Sequence, residues 1–295
     1  MFGRAGCALP PASITIQDEG TAALLRSAPQ AGMIEERMQA MGNPISTDAL
    51  IESAMRQTGR SDFGSDSFRE GLDILVGDVN ADAPNRPEPL MQRMTDDLVK
   101  TLAGRLKTID YHKQNPSITA RPIERPVFVF GIPRTGTTLL SNLLNADPAR
   151  RSPLTWEIED PFPPVRTRDD LTGDPRAIKK LEQERAMLEM MPEMGKYYRN
   201  SAVYPNECIF FMAQDFKALS LESRGKLPNY RDWYFNCDMH SAYEHHKKFL
   251  QVLQHHVGGN WNLKMPSHAL WLDTLLDIYP DARLVWTHRD PFKAI

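Results

Sequence analysis

The stretch PVFVFGIPRTGTTLLSNLLNADP, residues 126–148, contains the change of pattern that decides the fold. Residues 127–130 (VFVF) form a short, continuous apolar run bounded by proline and glycine, which is typical of a buried strand in a parallel sheet. A glycine- and threonine-containing loop follows, and LLSNLLNA then has the periodicity of a helix that ends before Pro148. Strand, loop and helix in this order form the unit that binds phosphate groups in many proteins.

The loop has the frame of an ATP-binding loop without its lysine. Gly131 and Gly136 have the G-x4-G spacing, but Thr137 and then Thr138 stand where lysine and a hydroxyl residue are expected. Backbone N–H groups of such a loop can still hold an anion, and Arg134 supplies a positive charge. The missing lysine argues against hydrolysis of Mg-ATP. Taken alone, the spacing also fits a plain strand–helix turn with a solvated arginine.

Two further predicted strands each end at a basic residue. WNLKM (261–265) contains Lys264 at its end, and ARLVWT (282–287) is followed by Arg289. Ligands of parallel α/β sheets collect at the carboxyl ends of strands, so these cations and the loop arginine are expected to converge. Singly, each has an ordinary alternative, because Lys264 can extend to solvent and Arg289 can pair with Asp290.

The chain divides into three parts. Residues 1–42 are predicted to be a flexible leader, 43–125 a helical N-terminal region, and 126–295 an α/β core. Strands alternating with helices favour a P-loop-like three-layer α/β/α fold with a parallel central sheet. Apolar periodicity predicts helices at about Thr47–Met55, Phe68–Val79, Leu90–Tyr111, Pro175–Met191, Asn206–Lys217 (capped by Asn206) and Met239–Val257.

Bulk composition excludes several classes of function. Lys+Arg at 35 against Asp+Glu at 38 gives a net charge of −3, which does not indicate a nucleic-acid partner. The 295 residues show neither a signal-peptide core nor an apolar run of membrane-span length. The three cysteines form no CxxC pair or disulfide ladder. These features predict a cytoplasmic protein without a transmembrane segment.

Two clusters outside the loop invite other interpretations. The histidine pairs at 245–246 and 255–256 lie about three helical turns apart, roughly 15 Å, so they cannot share one ion and no metal site is predicted. Four methionines can either fill the core or line an apolar acceptor pocket. They are Met187, Met190, Met191 and Met194.

The three basic segments together resemble the sulfotransferase superfamily. GIPRTGTTLL resembles its 5′-phosphosulfate loop, in the arginine form of tyrosylprotein and bacterial or actinobacterial sulfotransferases. LKMPSH resembles the Lys-x-Pro segment of the family, and VWTHRDP its 3′-phosphate-binding segment. The likeness covers about Asn43 to Ile295.

The resemblance implies transfer of a sulfuryl group from the cosubstrate 3′-phosphoadenylyl sulfate to a hydroxyl of a small-molecule, lipid, carbohydrate or peptide acceptor. It implies that Arg134 holds the 5′-phosphate, that Lys264 stabilises the leaving group, and that Arg289 grips the 3′-phosphate. The loop residues implied to contact the cosubstrate are Pro133, Arg134, Thr135, Gly136, Thr137 and Thr138.

Two residues compete for the role of general base, which takes the proton of the acceptor. Glu157, in TWEIED, resembles the catalytic glutamate of tyrosylprotein sulfotransferases, although it lies two residues farther from the loop. His268 follows Lys264 by one short turn. Each also has a structural alternative, since Glu157 can cap a helix and His268 can be an ordinary first-turn residue.

The chain departs from the family pattern at its C-terminal end. A serine that completes the 3′-phosphate site in the family would follow Ile295 by two residues. The sequence therefore predicts an incomplete core that binds the cosubstrate weakly or not at all. The alternatives are a P-loop small-molecule kinase and a truncated, non-catalytic binding protein.

Overall fold

The computed structural model describes residues 44–197 and 201–294. Its centre is a parallel sheet of four strands: β1 (Val127–Phe130), β2 (Arg150–Arg151), β3 (Asn260–Lys264) and β4 (Arg283–Trp286). The strand order is β2-β3-β1-β4, so β1 lies between β3 and β4. All four residues of β1 are buried, as expected of an apolar central strand.

Helices precede, separate and follow the strands. Before β1 lie α1 (Thr47–Thr58), α2 (Ser67–Asp82) and α3 (Glu88–Gln114), and α4 (Thr137–Asn145) follows the β1 loop. Between β2 and β3 lie α5 (Thr155–Glu159), α6 (Asp170–Gly173), α7 (Pro175–Met190), α8 (Met194–Tyr197), α9 (Ile209–Met212), α10 (Leu219–Glu222), α11 (Pro228–Asn236) and α12 (His240–Leu253). The last are α13 (Leu272–Ile278) and α14 (Pro291–Ala294). None of these described helices is both long and apolar enough to cross a membrane.

The helical region before β1 packs into the same hydrophobic core as the sheet. Leu72 of α2 and Leu98 of α3 belong to one buried cluster with Phe128 of β1 and Leu263 of β3. The described residues therefore fold around one principal core, with a smaller cluster about Trp156. The predicted leader, residues 1–42, lies outside the described residues.

Most predicted elements are present, and one helix is wrong. The strand at 127–130 matches β1, and Ser46 caps α1 by accepting a hydrogen bond from the Ala49 amide. The helix predicted over 206–217 is instead the single α-helical turn α9 and a 3₁₀ turn at Ala213–Asp215. The Asn206 side chain does not cap it, because its oxygen accepts from the Glu207 amide and its nitrogen donates to Thr155.

Candidate active site

Strand register brings the three basic segments to one edge of the sheet. Val129 lies opposite Lys264 on β3, and Phe130 lies opposite Trp286 on β4. Because the three strands are parallel neighbours, the segments that carry Arg134, Lys264 and Arg289 leave the sheet side by side. This is the placement that the sequence predicts for them.

The loop after β1 is tied to the segment after β4. The hydroxyl oxygens of Thr135 and Thr287 are 2.6 Å apart, and the Arg289 guanidinium donates to the Arg134 carbonyl at 3.3 Å. Gly131 allows this approach, because a Cβ at that position would lie 2.5 Å from the Thr287 hydroxyl oxygen. These contacts hold the loop beside the basic residue that follows β4.

The end of the loop offers backbone donors. Gly136 is the N-cap of α4 with φ of 99°, and no side chain caps this helix. The first turn of a helix has N–H groups without intrahelical partners, which attract an anion. Arg134 also has a positive φ, 71°, and both it and Thr138 are exposed. Pro133 is exposed as well, whereas Thr137 is buried at the base of the loop.

Lys264 extends from β3 toward this loop. Its ammonium lies 3.4 Å from the Thr138 hydroxyl and 2.6 Å from a carboxylate oxygen of Glu207. The lysine side chain is 4% exposed and that of Glu207 is 28% exposed, so the ion pair has one buried and one accessible partner. The Cys208 amide donates to the Lys264 carbonyl at 3.0 Å and fixes the segment that carries Glu207.

Glu157 lies elsewhere, in a buried ion pair. Its two carboxylate oxygens accept from the Arg151 guanidinium at 2.8 and 3.2 Å, and one of them also accepts from the Leu154 amide. Arg151 in turn lies over the Trp261 ring, and neither charged side chain is more than 2% exposed. The carboxylate is thus occupied by structural contacts and closed to an acceptor, which does not support the prediction that Glu157 is the base.

His268 is also enclosed. Its ring is wholly buried, its Nδ1 lies 2.8 Å from the Tyr243 hydroxyl, and it packs edge-on against Phe128. Burial lowers the pKa of His268 to about 3. Together with Cys208 and His246 it forms a buried cluster whose nitrogen and sulfur atoms lie within 4.8 Å of one another. The structure thus gives His268 a position in the core with no path to an acceptor.

Glu207 is the carboxylate that sequence reasoning missed at this site. The sequence predicts only that it belongs to the helix at about Asn206–Lys217, and it is separated from Lys264 by 57 positions. No local spacing or motif in the sequence links the two residues. Their contact arises from the return of the chain to the end of β3.

Comparison with known proteins identifies related chains. Residues 126–295 match the sulfotransferase family. The crystal structure of a sulfotransferase from Mycobacterium avium matches with a TM-score of 0.79 and 42% identity, covering 84% of this chain and 64% of that one. A sulfotransferase from Mycobacterium tuberculosis matches with a TM-score of 0.70 and 30% identity, covering 83% of this chain and 68% of that one. No curated protein matches.

These similarities support the P-loop-like α/β fold and extend into the helical region before β1. The chain spans slightly less than two thirds, 64%, of the length of the Mycobacterium avium protein.

Proposed function

Because this chain belongs to the sulfotransferase family, we propose that it binds 3′-phosphoadenylyl sulfate at the loop after β1 and transfers the sulfuryl group to an acceptor hydroxyl. The observation that carries the proposal is the position of the Lys264 ammonium, 3.4 Å from Thr138 in the first turn of α4. It sets a buried cation beside a loop that offers uncapped backbone donors.

The residues at the loop fit a phosphorylated nucleotide. The uncapped N-terminus of α4 can receive a phosphate, and a Cβ added at Gly136 would meet no atom within 4 Å, so the space above this residue is open. Arg134 and Arg289 are both exposed beside it, and their planar guanidinium groups suit bidentate binding of phosphate. We assign Arg134 to the 5′-phosphate and Arg289 to the 3′-phosphate.

The bound cosubstrate supplies an activated sulfuryl group, and this chain supplies charge stabilisation and a proton acceptor. Lys264 and Arg134 stabilise the negative charge that develops when the bond from sulfur to the bridging oxygen breaks. Thr137 and Thr138 orient the phosphate through the first turn of α4. In this assignment catalysis consists of positioning and electrostatic stabilisation, as in phosphoryl transfer.

We assign the general base to Glu207 in place of Glu157 or His268. Its carboxylate is accessible, and its contact with Lys264 places it at the same edge of the sheet as the loop. As the acceptor oxygen bonds to sulfur, the hydroxyl proton passes to Glu207.

Binding of adenosine 3′,5′-bisphosphate, measured by isothermal titration calorimetry, tests the cosubstrate site. Arg134→Ala removes a charge-assisted phosphate contact and is expected to weaken binding about tenfold or more. Arg56→Ala is the matched control, since Arg56 is an exposed arginine that pairs with Glu52 of the same helix, α1. Equal affinity of Arg134→Ala and wild type would contradict the assigned site.

Sulfuryl transfer to a panel of alcohols tests the catalytic roles. Lys264→Ala and Glu207→Gln are each expected to lower kcat by about 10²-fold or more, because each removes a group used in the transition state. The kinase alternative predicts instead that ATP with Mg²⁺ binds and that adenosine 3′,5′-bisphosphate does not. Normal turnover of Glu207→Gln would contradict the assignment of Glu207 as the general base.

A further inference from the structure

A cleft of 950 Å³ lies between α5, α7 and the segment that enters α9. Thr155 and Ile158 contribute from α5, Leu188 from α7, and Asn206 and Phe210 from the third wall. Its volume is in the upper range of small-molecule sites. The cleft is therefore large enough for a molecule well beyond the size of a simple sugar or phenol.

The lining of the cleft is mainly apolar. Leu188 is 38% exposed and Phe210 is 44% exposed, although both are large hydrophobic side chains. Met187 also lines the cleft, whereas its neighbours Met190 and Met191 are exposed, so the methionines of this helix do not fill the core. Exposed apolar side chains gathered in a concave site indicate a ligand with apolar surface.

Charged side chains of both signs line the cleft and nearly balance: Glu159, Glu184 and Glu189 against Lys180 and Arg185. Glu159 and Lys180 form an ion pair of 2.7 Å at its margin. Glu184 accepts a hydrogen bond from the Ala202 amide at 3.0 Å. These contacts favour neither a strongly acidic nor a strongly basic ligand.

One wall of the cleft continues into the proposed reaction site. Phe210 lines the cleft, and its amide lies 3.4 Å from the Glu207 carbonyl in the turn that starts α9. Glu207 itself does not line the cleft, but it lies in the turn between two residues that do, Asn206 and Phe210. A molecule in the cleft is thus one helical turn from the carboxylate that contacts Lys264.

We propose that this cleft is the acceptor subsite and that the acceptor is an apolar alcohol of lipid or sterol size, whose hydroxyl lies at the Glu207 end. The inference rests on the proposed sulfuryl transfer and specifies its acceptor. The apolar part of the acceptor packs on Leu188, Met187 and Phe210, while its hydroxyl gives its proton to Glu207. Free sugars and acidic peptides lack the apolar surface that this lining requires.

Direct binding of the fluorescent alcohol 1-pyrenebutanol to the full chain tests the subsite without depending on turnover. Leu188→Asp puts a charge into the apolar lining and is expected to weaken binding about tenfold or more. Met190→Asp is the matched control: it lies on the same helix, is 76% exposed and does not line the cleft. It should bind as wild type does. Circular dichroism of both variants checks that the helix content of the chain is that of the wild type.

Competition identifies the class of ligand. Decanol is expected to displace 1-pyrenebutanol, and glucose at the same concentration is not. Equal binding by the Leu188→Asp and Met190→Asp variants, or displacement by glucose, would overturn the proposal.

The loss of the cosubstrate site and the loss of the apolar subsite give different binding results. Arg134→Ala should lose affinity for adenosine 3′,5′-bisphosphate and keep that for 1-pyrenebutanol. A wild-type chain that binds the alcohol but no nucleotide would refute the proposed function while leaving the apolar subsite in place.

Discussion

Glu157 and Glu207 each form an ion pair with a basic residue, and their surroundings separate the roles that each can play. Glu157 and Arg151 are both buried, and the glutamate also receives a backbone amide, so its acceptor capacity is used within the fold. Glu207 touches the ammonium of Lys264 and keeps part of its carboxylate exposed. A group that takes a proton from an acceptor must be reachable, which favours Glu207.

Glu157→Gln is expected to cost stability. The substitution leaves the buried Arg151 guanidinium without a counter-charge, and the loss of one partner of a buried pair typically lowers the free energy of unfolding by about 3–5 kcal/mol. Urea unfolding of the variant and the wild type measures this difference in the free energy of unfolding. Arg56→Met is the control because it breaks the exposed Arg56–Glu52 pair, at a cost of no more than about 1 kcal/mol. A Glu157→Gln chain that is as stable as wild type but inactive would restore Glu157 as the base.

The position of the basic residues at the edge of the sheet could be predicted from sequence, and that of the proposed base, Glu207, could not. Arg134, Lys264 and Arg289 each follow an apolar strand, so their place at the carboxyl edge depends only on local pattern and the parallel order of the sheet. The base depends on which carboxylate the chain brings back to that edge. Glu157 resembled the expected residue but pairs with Arg151, six positions away, whereas Glu207 meets Lys264 through a long-range contact.

At the scale of elements, the hydrophobic pattern of a segment predicts its secondary structure where its apolar residues are the ones that are buried. The run VFVF forms β1 at the predicted residues because all four side chains are buried in a central strand. The segment 206–217 is polar at its start and apolar in CIFFM, and predicts a longer helix than exists. There the Asn206 side chain bonds Thr155, 51 positions away, so the helix begins later and lasts one turn.

Glycine substitutions test how the loop joins β1 to α4. In Gly131→Ala the new Cβ would lie 2.5–2.6 Å from two oxygens of Thr287, so the segments after β1 and β4 must separate. The expected loss is about 1–3 kcal/mol of unfolding free energy, with weaker binding of adenosine 3′,5′-bisphosphate. Gly136→Ala places its Cβ in open space but at φ of 99°, and strain alone is expected to cost about 1–2 kcal/mol.

Gly77→Ala is expected to raise the free energy of unfolding, whereas the two loop substitutions lower it. Gly77 is an exposed residue inside α2, and an added Cβ there meets no atom within 4 Å. Alanine should therefore stabilise the chain by about 0.5–1 kcal/mol. Urea unfolding of the three variants compares a clash, a strained backbone and an unstrained helix. If Gly131→Ala were as stable as Gly77→Ala, the close approach of the loop to Thr287 would be wrong.

At the scale of the whole molecule, a buried charged network joins the helical region to the rest. The Asp215 carboxylate is wholly buried and accepts from Arg105 of α3 at 2.7 Å. It also accepts from the hydroxyls of Ser67 in α2 and Ser241 in α12, each at 2.6 Å. The predicted boundary at residue 126 thus marks a change of secondary structure, and the network and the common hydrophobic core continue across it.

Buried histidines make the stability of this core depend on pH. Three buried histidine side chains form hydrogen bonds to residues at least 25 positions away. His245 contacts Gln214, His246 contacts Tyr279, and His268 contacts Tyr243. Burial lowers the pKa of all three rings below the ordinary value near 6.5. Above pH 6.5 the rings are neutral in both the folded and the unfolded chain, and they contribute no pH dependence. Below pH 6.5 these histidine rings bind protons in the unfolded chain and stay neutral in the folded chain.

The free energy of unfolding is therefore expected to fall as the pH drops below about 6.5, with each ring contributing up to about 1.4 kcal/mol per pH unit. Urea unfolding at pH 8, 7, 6 and 5 measures this slope. His245→Gln removes one of these rings, keeps an amide able to donate to Gln214, and should flatten the slope below pH 6.5 by the contribution of one ring, up to about 1.4 kcal/mol per pH unit. His256→Gln, at an exposed histidine, should leave it as in wild type. A wild-type slope in His245→Gln would mean that this ring accepts a proton while the core stays folded.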